Sequence, residues 1–153
     1  VSTEGGFAAL FPGTPADASE KPSADAQLTA LRAFKATDPG TNIVVMVGYA
    51  DMPRGAVTPA STKAILDGGR DSSVAAVRGT LRSEKDIVLG EFPGRELVVE
   101  APVSDPTVGG ALVRARAFLA NDRLYYIQVI RERPAEPSGP EPERVTVEAS
   151  SVQ

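Results

Sequence analysis

The chain has 153 residues, of which 42% are hydrophobic, and its formal net charge is −4. It contains no histidine and no cysteine, so disulfides are excluded and the usual general base, thiol nucleophile and soft metal ligands are missing. Residues 1–25 and 132–153 each carry a net charge of −3, which leaves +2 for residues 26–131. A mildly basic centre of this kind lacks the concentrated basic stripe of a nucleic-acid-binding protein.

The longest apolar run covers residues 43–47 and is far shorter than the roughly 20 residues of a membrane helix. No membrane-spanning segment is therefore expected. The chain begins at Val1 rather than at a methionine, which is compatible with removal of a leader or lipid anchor, although no signal peptide is visible. The expected location is extracytoplasmic, either secreted or in a bacterial envelope.

The first third of the chain predicts a short edge strand and a hairpin. Residues 6–11 are mostly apolar and are followed by two prolines and a glycine, so they predict an edge strand that ends in a turn. Residues 27–37 and 42–51 predict a hairpin around Asp38-Pro39-Gly40. The second of these segments is almost continuously apolar, which places it near the middle of a sheet.

A single helix is predicted over residues 59–77. Thr58 followed by Pro59 is typical of a helix start, with a capping residue and then proline in the first turn. Gly79 is suited to the helix end. Gly68-Gly69 lies inside this segment, and each interior glycine destabilises a helix by about 1 kcal/mol relative to alanine.

Two further hairpins are predicted in the second half. Residues 80–92 and 95–101 should pair through a type II turn at Pro93-Gly94. Residues 111–120 and 123–131 should pair through Asn121-Asp122. The expected fold is therefore α+β, with an antiparallel sheet of about six or seven strands and one helix on a face. The domain is expected over residues 1–131, and the Pro/Glu-rich residues 132–153 predict a tail or linker.

The order of hairpin, helix and four strands resembles the Mog1/PsbP-like group. The likeness covers about residues 5–131 and rests on residues 81–87 (LRSEKDI), 92–96 (FPGRE) and 121–125 (NDRLY), and small bacterial members also open like residues 11–15 (FPGTP). The resemblance implies a non-enzymatic role: members of the group bind a GTPase, dock on a photosystem or reside in a bacterial envelope. It also implies a C-terminal helix on the sheet, and nothing after Arg131 has a helical pattern.

Basic residues of the last hairpin are the first candidates for partner binding. Arg114 and Arg116 lie on one face of their predicted strand, and Arg123 lies at the start of the next. Guanidinium groups arranged in this way can bind carboxylate or phosphate. The alternative is cross-strand pairing with Glu96 and Glu100, which stabilises a sheet only modestly.

Tyr126 is a further candidate. Tyr125 and Tyr126 fall on opposite faces of one strand, so one is expected in the core and the other on a surface. Exposed tyrosines are common at protein interfaces. Tyr126 is therefore predicted to be an exposed anchor for a partner.

Catalytic and metal-binding groups are weakly indicated. Glu84 and Asp86 share one face of a strand and would suit acid–base chemistry or a hard cation. Lys85 lies between them, and mixed charges on the wet face of a sheet usually only solubilise it. No residue is assigned to catalysis, to a metal or to a cofactor.

The sequence thus predicts a non-enzymatic binding or accessory module that holds a protein partner on its sheet face or edge. One alternative is a small apolar ligand held in a pocket between helix and sheet. That pocket would be lined by Leu66, Val74, Ile87 and Tyr125. A carboxylate- or metal-dependent hydrolase is the third possibility, and the missing histidine disfavours it.

Overall fold

The computed structural model describes residues 1–19, 31–104 and 108–134. Within them, seven strands form one sheet in the order β1-β2-β3-β7-β6-β5-β4, and every neighbouring pair is antiparallel. The tail predicted over residues 132–153 lies almost entirely outside this description. The elements are β1 (Ala16–Asp17), β2 (Arg32–Thr37), β3 (Val44–Asp51), α1 (Thr62–Ala76), β4 (Thr80–Leu89), β5 (Phe92–Ala101), β6 (Val108–Ala120) and β7 (Arg123–Pro134).

The predicted α+β class is wrong, because the fold is dominated by its sheet. The described segments are only about 12% helical, since the 15 residues of α1 are their whole helical content. Strands β6 and β7 alone contribute 13 and 12 residues. The seven antiparallel strands and the packing of one helix on a face of the sheet agree with expectation.

The two antiparallel strand pairs predicted for the second half are confirmed. The turn predicted for the first of these pairs is in a different place. Asn121 adopts φ 55° between β6 and β7, as a tight hairpin requires. Strands β4 and β5 also pair antiparallel, but their turn lies at Gly90-Glu91, where Gly90 has φ 63°. Pro93 and Gly94, the predicted turn, are residues of β5.

Packing rather than a turn explains the glycine at position 94. Gly94 pairs with Phe118 on β6, and a Cβ at Gly94 would meet the Phe118 ring at 2.5 Å and clash with the carbonyl oxygen of Ala117. The aromatic ring therefore lies directly over the glycine backbone. Pro93 lies just outside the β5–β6 pairing, at the strand end where proline is tolerated.

The helix is shorter at its start than predicted. Its N-cap is Ser61, while Thr58 and Pro59 belong to a preceding turn. The Ser61 hydroxyl accepts the N–H of Thr58 at 2.8 Å and donates to the carbonyl of Ala56 at 2.6 Å. These bonds hold the turn in place, so the helix begins at Thr62 rather than at Pro59.

The predicted edge strand at residues 6–11 is also wrong. The first ten residues contain only a bridge between Ser2 and Phe7, and the edge strand is β1. The carbonyl oxygen of Ser2 accepts the N–H groups of Gly6 and Phe7 at 2.9 and 3.3 Å. The segment therefore turns back on itself instead of extending along β2.

The two faces of the sheet differ in what covers them. We call helix face the side on which Leu66, Val74 and Val77 of the α1 region pack against buried residues of β5, β6 and β7. We call open face the opposite side, to which Arg116 and Phe118 of β6 and Tyr125 of β7 belong by register. No helix in the described part of the chain packs on the open face.

Two glycine substitutions should change stability in opposite directions. Gly68 lies inside α1 with no atom near its would-be Cβ, so Gly68→Ala should stabilise the protein by about 1 kcal/mol. Gly94→Ala must displace the Phe118 ring and the β6 backbone and should destabilise it by about 1–3 kcal/mol. Urea unfolding of the two variants measures both, and equal effects would contradict the assigned packing.

Candidate functional site

A row of aromatic side chains crosses the open face near the turns of the two hairpins. Tyr49 of β3 pairs with Tyr125 of β7, Tyr125 pairs with Phe118 of β6, and Phe118 pairs with Gly94 of β5. Because residues opposite each other across an antiparallel pair share a face, the three rings lie side by side. Phe118 and Tyr125 line the candidate site, and Tyr49 is buried beside them.

The N-terminal segment is fastened onto this row of rings. The ring of Phe7 lies 6.1 Å from Tyr49, 6.3 Å from Tyr125 and 6.4 Å from Phe34, measured between centroids. The Tyr125 hydroxyl donates to the carbonyl oxygen of Gly5 at 2.8 Å. Residues 5–9 thus form a wall on the open face.

Arg123 secures the same segment, which corrects its assignment as a partner-binding residue. Its guanidinium donates to the carbonyl oxygens of Glu4 and Gly5 at 2.9 and 3.0 Å and to both carboxylate oxygens of Asp51 at 2.6 and 3.1 Å. It also lies 4.4 Å from the centre of the Tyr49 ring. The carboxylate of Asp51 raises the pKa of Arg123 further above its usual range, so this guanidinium is engaged within the fold.

A groove of about 490 Å³ opens between the N-terminal wall and the β4–β5 hairpin. Two of its apolar side chains are open to solvent, Leu89 at 59% and Ile127 at 38% exposure. The lining is mostly apolar, and its side chains include Phe7, Val47, Leu89, Phe92, Phe118 and Ile127.

The predicted pocket between helix and sheet does not exist as proposed. Leu66 packs on the helix face with Leu119 and Leu124, whereas Ile87 and Tyr125 belong to the open face by their pairing with Gly94 and Phe118. Side chains on opposite sides of one sheet cannot line one cavity. The apolar groove lies on the open face instead.

Arg114 and Arg116 lie on the open face beside the groove. Arg116 is opposite Ile127 and two residues from Phe118, and its Nε donates to Glu96 at 2.5 Å. This is the cross-strand pairing that the sequence offers as the alternative to partner binding. The bond from Arg116 holds the pKa of Glu96 below its usual value. Arg114 is exposed and forms no ion pair with a described residue.

Tyr126 is not the exposed anchor that was predicted. It belongs to the helix face, where it pairs with Gly48 of β3, and a Cβ at Gly48 would lie 2.5 Å from its hydroxyl oxygen. That oxygen is buried. Tyr126 therefore packs over a glycine backbone within the fold.

Glu84 and Asp86 are exposed to solvent, as predicted, but they lie on the same side of the sheet as the helix. Arg95, only 6% exposed, accounts for this. It donates to Asp86 at 3.2 Å, approaches Glu84 at 3.7 Å and bonds Asp67 of α1. The carboxylates thus neutralise a buried guanidinium beneath the helix.

Asp67 is the acid most strongly affected by this cluster. Hydrogen bonds from Lys63 and then from Arg95 lower its pKa from 3.8 to about 2. Among the described residues, no three acidic side chains come together as metal ligands. The cluster is a charge-compensated support of the helix, and nothing in its geometry positions an acid beside a base.

The comparisons with known proteins add no assignment. No family model matches the chain, and no curated protein or solved structure is significantly similar to it. The resemblance to the Mog1/PsbP-like group therefore stays a prediction. In the segments that the structure describes, no helix has the length and apolar character to cross a membrane.

Lowering the pH should reduce the folding stability of the protein, partly through protonation of Asp67. A carboxylate whose pKa is lowered on folding stabilises the native state above its unfolded pKa, near 4, and that stability is lost as the pH falls towards about 2. Asp67→Asn should therefore be less stable than the wild type at pH 7 and lose less stability between pH 4 and 2. Urea unfolding across this range measures the slope, and an unchanged slope would contradict the role of Asp67.

The ring of Phe7 should provide most of the packing that holds the N-terminal wall against the sheet. Phe7→Ala removes three aromatic contacts and should destabilise the protein by about 2–3 kcal/mol. Leu10 is the matched control, since it is 99% exposed and Leu10→Ala should change stability by less than about 0.5 kcal/mol. Thermal unfolding of both variants tests this, and equal stabilities would show that the segment does not pack on the sheet.

Proposed function

We propose that the protein is a non-enzymatic binding module that holds a protein partner on the open face of its sheet. An apolar side chain of the partner enters the groove beside Phe118. The observation that carries this proposal is the groove itself, whose rings are fixed by the sheet while Leu89 and Ile127 remain exposed at its edge. Aromatic side chains in well-packed pockets are typical of interface hot spots, and exposed apolar side chains beside such a pocket can be covered by a partner.

The energetic reason is the apolar area left in water. Burying an apolar surface stabilises a complex by roughly 25 cal/mol per Å², so covering Leu89 and Ile127 together with a partner side chain favours association. The groove is also rigid, because its wall is bonded to Arg123 and Tyr125. A rigid site loses little conformational entropy on binding.

The face is favoured over the sheet edge. Strand β4 is an edge strand, and its central residues are charged: Arg82, Glu84, Lys85 and Asp86. It also contains a register shift between Leu81 and Ser83. Charges and bulges of this kind protect edge strands against pairing with another chain.

A protein partner is favoured over a small apolar ligand for a geometric reason. Small-molecule sites normally enclose 70–90% or more of their ligand, whereas this groove is open at Leu89 and Ile127. A small apolar molecule in it would keep much of its surface in water. A protein would cover both the groove and its exposed rim.

The carboxylates disfavour a hydrolase. Asp67, with a pKa of about 2, is ionised at neutral pH and cannot act as a proton donor there. Glu84 and Asp86 both lie against Arg95. The acidic groups of this cluster therefore act as counter-ions, which supports a binding role.

Site-specific photo-crosslinking in the native cell tests the proposal. A photoreactive phenylalanine analogue at Leu89 should form a discrete protein adduct, because this position borders the groove. Ile127→Asp in the same chain should reduce the adduct at least about tenfold by charging the apolar site. The matched control carries the analogue at Arg54, an exposed residue outside the groove lining, and should form no such adduct.

Two results would contradict the proposal. Equal adducts from positions 89 and 54 would mark non-specific capture. A co-purified small apolar molecule in native mass spectra, lost on Ile127→Asp and without any protein adduct at 89, would favour the ligand-binding function instead.

A further inference from the structure

The open face carries a charge opposite to that of the chain. The whole sequence has a net charge of −4, yet beyond the groove this face is basic. Its acidic residues on β5 are Glu96 and Glu100, at 14% and 27% side-chain exposure. The basic residues on this face of β4, β6 and β7 are Arg82, Lys85, Arg114, Arg116, Arg131 and Arg133.

Glu96 and Glu100 each already interact with two basic side chains of neighbouring strands. Glu96 bonds Arg116 and approaches Lys85 at 3.7 Å. Glu100 accepts a bond from Arg82 at 2.7 Å and another from Arg133. Arg114 and Arg131 are exposed and form no ion pair with a described residue, although Arg114 acts on Glu96 at longer range.

These two arginines continue the line of the groove. On β6 the open-face residues run from Phe118 through Arg116 and Arg114 to Leu112, and Leu112 pairs with Arg131 on β7. Successive residues on one face of a strand are about 6.6 Å apart, as are alternate side chains of any extended peptide. An extended segment lying along β6 would thus meet the groove first and the arginines next.

We infer that the partner presents an acidic extended segment, with one large apolar side chain followed by carboxylates at alternate positions. The apolar side chain occupies the groove, and the carboxylates pair with Arg114 and Arg131. This inference rests on the proposed function and names the chemistry of its partner. Arginine suits carboxylates because its planar fork can bond both oxygens.

The arrangement favours a polypeptide over a polyphosphate or a membrane. Glu96 and Glu100 lie among the arginines, so a dense array of phosphates would be brought close to two half-buried carboxylates. Val98 and Val129 also lie beside Arg114 and offer apolar contacts between the charges. Sparse carboxylates alternating with apolar side chains match this surface.

A designed peptide tests the inference by fluorescence anisotropy with the full chain. The probe is a labelled ten-residue peptide in which one phenylalanine is followed by alternating valine and glutamate, valine first, so that the phenylalanine and the glutamates lie on the same side of the extended chain. It should bind at low salt and weaken steeply as salt rises. Replacing its glutamates by lysine, or its phenylalanine by alanine, should each weaken binding about tenfold or more.

Protein variants then locate the contacts. Arg114→Glu with Arg131→Glu should weaken binding of the acidic peptide about tenfold or more and improve binding of the lysine peptide. Arg54→Glu with Arg78→Glu is the matched control, because it changes net charge equally at exposed positions off the open face and should alter binding less than about twofold. Equal losses in the two double variants would overturn the inference.

Other occupants give distinct results. Tighter binding to anionic phosphatidylserine vesicles or to single-stranded RNA, weakened by the same two arginine substitutions, would overturn the inference in favour of phosphate recognition. Deletion of residues 135–153, which carry a net −3, should change peptide affinity less than about twofold. A tenfold gain on deletion would assign the arginines to the chain's own acidic end.

Failure of this inference is separable from failure of the proposed function. The crosslink at Leu89 can persist while peptide binding depends neither on the charge of the peptide nor on the arginine substitutions. In that case the groove holds a partner of different chemistry. If the crosslink is absent as well, the proposed function fails.

Discussion

The register of β7 between β3 and β6 is the constraint on which both sides of the sheet depend. Side chains alternate with a period of two, so a slip of one residue would exchange the two faces. In the observed register, Leu124 supports the helix while Tyr125 and Ile127 form the groove. The tight turn at Asn121 fixes the register of β7 against β6, because it sets the pairing of Ala120 with Arg123. The same register therefore determines both the core beneath the helix and the candidate site on the open face.

Some of this arrangement could be predicted from local sequence. Alternating residues such as Leu97 and Val99 predict a buried face, and Asn121-Asp122 predicts a hairpin, because both signals act within a few residues of one another. The helix was also predictable, although its start was not. The α+β class failed because the helix starts at Thr62 rather than at Pro59, while β6 and β7 extend beyond their predicted ends, and no local signal marks these boundaries.

The candidate site was harder to predict because its residues act through contacts distant in the chain. Pro93-Gly94 is typical of a turn, and only the ring of Phe118 explains a glycine inside β5. Strand alternation predicts Tyr126 on a surface, and only its pairing with Gly48 shows that the ring packs over the backbone of β3. Arg123 appeared available, yet it bonds the carbonyl oxygen of Gly5, more than a hundred positions earlier. Of the four predicted binding residues, Arg116 lies beside the groove, opposite Ile127, and Arg114 follows it on the same face of β6.

The two faces use arginine in opposite ways, and this separates support from recognition. On the helix face, Arg95 is buried and its carboxylate partners come from the chain itself, including Asp67 of α1. Leaving such a buried charge unpaired would strongly destabilise the fold. On the open face, Arg114 is exposed and hydrated, so it gains a carboxylate partner without a large desolvation penalty. In the complex that we propose, an exposed arginine near a rigid apolar groove confers specificity, while the groove supplies most of the favourable free energy of binding.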